Sequence, residues 1–266
     1  MPDATNALYA AMRNLFGAGP SPAQGNAVSA LSEAMTARFG PVDAATQAAE
    51  RAGRDPAHRL GSLSERYESG GHGTGTVSNG LRDPGGVSYG LYQLASRTGT
   101  VAEFVRGEGA RWAGDFAGKR PGSPAFTAAW QAVAVRDGAA FGAAQHAFIE
   151  RTHYRPAVAG VLRQTGLDLD ARADAVRDAC WSVAVQHGAA VTILCRAVRA
   201  ADAGLPRGDR RYDRALVEAI YVARADQVRK VAATAAPGNR QTLLNVVAKR
   251  YPAELAAALA MLLADG

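Results

Sequence analysis

Two carboxylates, Glu68 and Asp83, flank a stretch rich in glycine, threonine and serine, and no other side chains in this chain are better placed for chemistry. Leu60, Leu63 and Tyr67 recur at helical spacing and Gly70-Gly71 stop the helix, so Glu68 is predicted in its last turn. There an unpaired carboxylate faces the negative end of the helix dipole, which raises its pKa and suits a general acid. Asp83 follows across the glycine-rich stretch, which can form a hairpin. Two carboxylates held apart across a cleft are what most glycoside hydrolysis needs. Asp83 also has a plainer reading, because Asp83-Pro84-Gly85-Gly86 is a good turn sequence in its own right.

The elements around this pair are mostly helical. Alanine is abundant, β-branched runs are short, and 48% of the 266 residues are hydrophobic, enough for a sizeable core. Helices are predicted over 125–154, 171–187, 189–203, 212–231 and 238–263, with Pro156 ending or kinking the first. Shorter ones are predicted over 6–16, 26–39 and 43–52, separated by glycine–proline segments. The predicted organisation is an N-terminal helical appendage, 1–57, and a domain over 58–266. The expected fold class is mostly α, an α+β arrangement with one small β-hairpin beside the site.

Charge and composition narrow the partners. The net charge of +6 favours a polyanion such as nucleic acid, an anionic membrane surface or the bacterial wall. Basic residues come in pairs such as Lys119-Arg120, Arg210-Arg211 and Lys249-Arg250, which argues against a nucleic-acid groove. No apolar run is long enough to span a bilayer. Met1-Pro2-Asp3-Ala4-Thr5 lacks the basic stretch and apolar core of a secretory signal, so synthesis in the bacterial cytoplasm and another export route are expected. Cys180 and Cys195 would lie about 22 Å apart on one helix, at about 1.5 Å per residue, and are read as two buried thiols. His146 and His153 share a helical face but find no third ligand at useful spacing, so no metal site is expected.

The pattern Glu68-Ser69-Gly70-Gly71 followed by Ser88-Tyr89-Gly90-Leu91-Tyr92-Gln93 resembles the lysozyme-like superfamily. The longer set, with Gly85-Gly86-Val87, Phe148–Tyr154 and Trp181–Gly188, resembles a narrower family over about residues 60–230. That family is the muramidase domain at the C-terminus of some VgrG-type spike proteins of the type VI secretion system. The resemblance implies a peptidoglycan hydrolase in which Glu68 is the catalytic acid and Asp83 the second functional carboxylate. It implies no cofactor, delivery into the periplasm of a target cell, an immunity protein in the producer, and association with a secretion spike or adaptor.

Around the carboxylates, Tyr89 and Tyr92 could stack on sugar rings, with strand packing expected instead for one of the two. Gln93 could bind an N-acetyl group or orient Glu68. Thr152, His153, Gln186 and His187 are candidate substrate-binding or supporting residues, with ordinary helix packing as the alternative. A lytic transglycosylase, a chitosanase or chitinase, and a non-catalytic wall-binding spike adaptor stay open at this point.

Overall fold

The computed structural model describes residues 58–63, 73–81 and 83–264. The expected appendage, 1–57, and most of the helix predicted to carry Glu68 lie outside the described residues, though Ser62 and Leu63 are helical. The described residues divide at 64/65 and again at 156/157 into two compact units. Within them the fold is mostly helical with one small antiparallel hairpin, as the composition predicts.

The hairpin pairs β1 (Ser88–Tyr89) with β2 (Leu94–Ala95), matching Ser88 to Ala95 and Tyr89 to Leu94. A single bridge adds Val77 beside Tyr89. The hairpin therefore follows Asp83 in the sequence. Two short helices follow, α1 (Thr100–Arg106) and α2 (Ala113–Phe116), which hydrophobic periodicity does not reveal because each is bounded by glycine or a brief 3₁₀ turn.

The long helix α3 (Pro124–Ile149) starts where the sequence places it, with Ser123 Oγ accepting from the Phe126 amide and proline in its first turn. Phe126, Trp130, Val133, Phe141, Gln145 and Phe148 form its buried stripe. Asp137 breaks the helical geometry at φ −127°, ψ 29°, and its carboxylate accepts from Trp112 Nε1 at 2.9 Å. The core of this unit is aromatic: Trp130 lies 4.6 Å from Phe141, 5.2 Å from Tyr89 and 5.5 Å from Phe104, centroid to centroid.

A π-helical turn, Glu150–Tyr154, joins α3 to α4 (Arg155–Thr165). A second, Val246–Arg250, joins α8 (Pro237–Asn245) to α9 (Tyr251–Ala264). Each is followed by an Arg-Pro or Tyr-Pro pair, ending in Pro156 or Pro252. Proline cannot donate to the carbonyl one turn back and crowds it, so the helix widens just ahead of it. The predicted break at Pro156 thus takes the form of a wide turn, and the helical stretch expected over 238–263 is present with a similar wide turn ahead of Pro252.

The other unit is built on α7 (Tyr212–Thr234), which packs against α5 (Asp174–Gln186), α6 (Ala190–Gly204), α8 and α9. Every residue from Ala215 to Ala225 is buried, as expected for a helix enclosed on all sides. Its core is rich in alanine and aliphatic side chains, among which Trp181, Tyr212, Tyr221 and Tyr251 are also buried. Cys180 and Cys195 are both buried and unbridged. The 58–63 segment is pinned by the fully buried carboxylate of Asp178, which accepts from the Gly61 and Leu63 amides and from His58 Nε2 at 2.8–2.9 Å. Gly61 crosses the indole of Trp181 so closely that a Cβ would lie 2.6 Å from Nε1, at a φ of +83° that also favours glycine.

Candidate functional site

Glu68 lies outside the described residues. The segment that follows is described from Gly73, and it is shaped by its own backbone. Asp83 Oδ1 accepts from the Gly85 amide at 2.8 Å, and the Gly86 amide donates to the Asp83 carbonyl at 3.0 Å. Gly86 takes a φ of +76°, and Arg97 N donates to Gly85 O at 2.9 Å, tying the turn to the open end of the hairpin. The turn reading of Asp83 therefore holds. The turn engages one carboxylate oxygen and the residue is exposed, so a turn role and a chemical role can coexist.

At the closed end, Gly90–Gln93 make the hairpin turn. Gln93 sits in the left-handed region at φ 52°, and its Nε2 donates to the Gly90 carbonyl at 2.9 Å. That amide braces its own turn, and it stands at the opposite end of the hairpin from Asp83. Tyr89 is a core residue, which corrects its reading as a sugar platform. It is fully buried, its ring packs against Phe126 and Trp130, and its hydroxyl pairs with Thr127 at 3.0 Å and accepts from the Gly122 amide at 3.1 Å. Packing, expected for one of the two tyrosines, is thus the fate of Tyr89. Tyr92 is half-buried with its ring edge-on to His146, centroids 6.3 Å apart.

Sequence reasoning missed the residue that holds this hairpin. Gln145 on α3 is fully buried, accepts from the Leu91 amide at 2.9 Å and donates to the Thr74 carbonyl at 3.2 Å. Trp130 Nε1 donates to the same carbonyl at 2.9 Å. A Cβ on Gly90 would lie 2.1 Å from Gln145 Oε1, so only glycine fits there. A lone glutamine on the apolar stripe of a helix was the available signal.

Thr152 and His153 stand on the first π turn. Thr152 Oγ1 lies 2.7 Å from both the Phe148 carbonyl and His153 Nδ1. The carbonyl can only accept, so the single hydroxyl hydrogen points to it and His153 Nδ1 carries the proton that it shares with Thr152. Nε2 is then the basic nitrogen, and burial holds the ring below its ordinary pKa. Beside it Arg151 is spanned by Glu108 at 2.6 Å and Glu103 at 3.2 Å.

Gln186 and His187 belong to the other unit, at the end of α5, above a buried charge cluster. Arg224 and Glu254 are both fully buried and pair at 3.4 Å. Arg224 Nη2 also donates to Ser182 Oγ at 2.8 Å, Ser182 bonds Glu254, and Arg250 reaches Glu254 at 3.2 Å. The guanidinium stacks on Tyr251, 4.3 Å from the ring centre. Gln186 Oε1 receives Arg224 Nε at 3.0 Å, Arg224 Nη2 at 2.6 Å and the Tyr251 hydroxyl at 2.9 Å. His187 Nε2 lies 3.2 Å from that hydroxyl. Burial, with the positive charges of Arg224 and Arg250, pushes the His187 pKa down to about 4. Of this cluster, only Gln186 and His187 were singled out from the sequence. Arg224, a lone charge in the apolar run Tyr221-Val222-Ala223-Arg224-Ala225, was the missed signal.

Among the described residues no group of three or more His, Cys, Asp or Glu side chains is placed to hold a metal ion. No helix among them is long and apolar enough to cross a membrane.

Residues 60–254 match the family described as type VI secretion system spike protein VgrG3-like, C-terminal. The chain belongs to that family. The matched span includes Asp83, the Gly90–Gln93 turn, both π turns and the Arg224–Glu254 cluster, as well as Glu68. Type VI secretion system spike protein VgrG3 of Vibrio cholerae serotype O1 is 39% identical over 139 residues. That alignment covers 52% of this chain but 13% of the Vibrio protein, so this VgrG3-like chain corresponds to a small part of that relative's length.

Proposed function

We propose that this chain is a peptidoglycan hydrolase, a muramidase that cleaves the MurNAc–GlcNAc β-1,4 bond as a secreted antibacterial effector. The observation that carries the reading is family membership across a span that contains both candidate carboxylates, Glu68 and Asp83. The solvent-exposed carboxylate of Asp83, held on a backbone-braced turn, supports it further.

In this reading Glu68 protonates the departing glycosidic oxygen. Asp83 activates water or stabilises the oxocarbenium-like transition state, depending on the separation of the two carboxyls. The reaction needs no metal or organic cofactor. The positive net charge suits an anionic wall. Its partners are glycan strands, an immunity protein in the producing cell, and the secretion spike or an adaptor that carries the enzyme into a neighbour's periplasm.

Digestion of purified sacculi, with products identified by mass, tests the reading. The wild type should release fragments with reducing ends. Glu68→Gln should lose about 10²–10⁴-fold in rate while staying folded. Asp83→Asn should also lose most activity, and because asparagine supports the same turn, that loss would report the missing charge. Anhydro ends with an active Asp83→Asn protein would identify a lytic transglycosylase instead. Preferential turnover of chitosan or chitin would move the substrate to another glycan. Binding to sacculi without products would make the domain a wall-binding adaptor.

A further inference from the structure

The Arg224–Glu254 pair is unfavourable to bury on its own. Two charges leave water, and their attraction offsets that only when hydrogen bonds satisfy the remaining groups. Here the bonds are supplied by Ser182, Gln186 and Arg250, with the ring of Tyr251 beneath the guanidinium. Most of these contacts run inward. One runs outward, to the side chain of Gln186, an exposed residue.

That contact fixes which way the Gln186 amide points. A guanidinium has donors and no acceptor, so the atom facing Arg224 is the Gln186 oxygen, and the Tyr251 hydroxyl meets the same oxygen. The amide nitrogen is therefore turned the other way. Among the described residues no group meets it, and its two N–H donors stand at the surface on a side chain whose rotation is locked from below. The next residue completes the pattern. The Tyr251 hydroxyl donates its hydrogen to Gln186, so the His187 Nε2 beside it is the protonated nitrogen and Nδ1 is left as an acceptor.

We propose that Gln186, aimed by the buried Arg224–Glu254 pair, forms a binding subsite for the acylamino group of an amino-sugar glycan. Its amide N–H groups donate to the acyl carbonyl, and His187 Nδ1 offers the complementary acceptor for the amide N–H. Gln186 is the specificity-determining residue of this subsite, and Arg224 and Glu254 are positioning residues that act through it. The proposal rests on the glycan-hydrolase reading for the class of ligand, but it concerns binding rather than bond cleavage.

Calorimetry with two neutral probes, chitohexaose and cellohexaose, tests it. The two differ in carrying an acetamido group or a hydroxyl on each ring. Measurements use the Glu68→Gln protein, to prevent turnover, with and without Gln186→Glu. Glutamate keeps an acceptor for Arg224 and removes the outward donors, so the unfolding temperature should not fall. The Glu68→Gln protein should prefer chitohexaose, and adding Gln186→Glu should weaken chitohexaose binding by roughly tenfold while leaving cellohexaose unchanged. Gln186→Leu should lose the same preference. Unchanged chitohexaose affinity, or an equal loss for both sugars, overturns the subsite. A Glu68→Gln protein that binds neither sugar overturns it as well, and sacculus digestion by the wild type would then leave the hydrolase reading standing alone.

Discussion

The Asp83 hairpin and the Gln186 cluster position polar side chains by opposite means. Around Asp83 the main chain does the holding: glycines at positive φ, amide donors within the turn, and one buried glutamine that fastens the hairpin to α3. Around Gln186 the side chains do it, through a guanidinium and a carboxylate withdrawn wholly from water. A site held by backbone tolerates changes of side-chain charge but not an added methyl group. A site held by buried charges tolerates changes at its rim but not loss of a partner beneath.

The largest effect that would expose this contrast is expected from Arg224→Met. It leaves Glu254 buried with only Arg250 as a cationic partner, and removing one member of a buried pair costs about 3–5 kcal/mol. Urea unfolding should show the midpoint moved by a corresponding amount. An Arg224→Met variant as stable as the parent would mean that the pair contributes no net stability and that the cluster tolerates loss of a partner after all.

Gly90→Ala is the matching test of the backbone-held region. The new methyl group would meet Gln145 Oε1 and the Trp130 ring at a φ of +76°, so about 2–4 kcal/mol should be lost through strain and overpacking. The same substitution at Gly188, where a Cβ would meet nothing, should cost far less.

The smallest effect is in the pH dependence. The folded-state pKa of His187 is about 4 against an ordinary 6.5, so between those values the unfolded chain binds a proton that the folded one refuses. Stability should therefore fall as the pH drops from 6.5 towards 4, where burial, followed by the charges of Arg224 and Arg250, opposes the new charge and Glu254 only partly offsets them. His187→Gln should reduce the total loss over that window by an amount on the order of 1 kcal/mol, given a half-buried site. Parallel stability curves for parent and variant between pH 7 and 4.5 would remove His187 from the account.

Long, strongly patterned elements were legible in the sequence. The helices that became α5, α6 and α7 start and stop within a few residues of their predicted bounds, because apolar spacing and flanking glycine or proline report directly on them. Both cysteines are the buried thiols expected of them. Short elements were not legible: α1 and α2 carry too few turns for a period to show, and α4 hides behind the wide turn ahead of Pro156. The candidate site divides the same way. Asp83 was visible because turn residues announce themselves locally. Gln145 and Arg224 were not, since their partners lie tens of residues away in sequence and only the fold brings them together. Tyr89 illustrates the converse, a residue whose type suits sugar binding and whose strand places it in the core.

The state of the two cysteines has a consequence for where this chain can work. Both are free, Cys180 has no exposed surface and Cys195 almost none, and burial pushes both thiols above their usual pKa, Cys180 the further. Thiolate is the form that oxidants attack, so both sulfurs are protected chemically as well as sterically. No crosslink has to form for this fold and none can be reduced away. A protein built like this keeps the same covalent structure on either side of a membrane that separates a reducing compartment from an oxidising one.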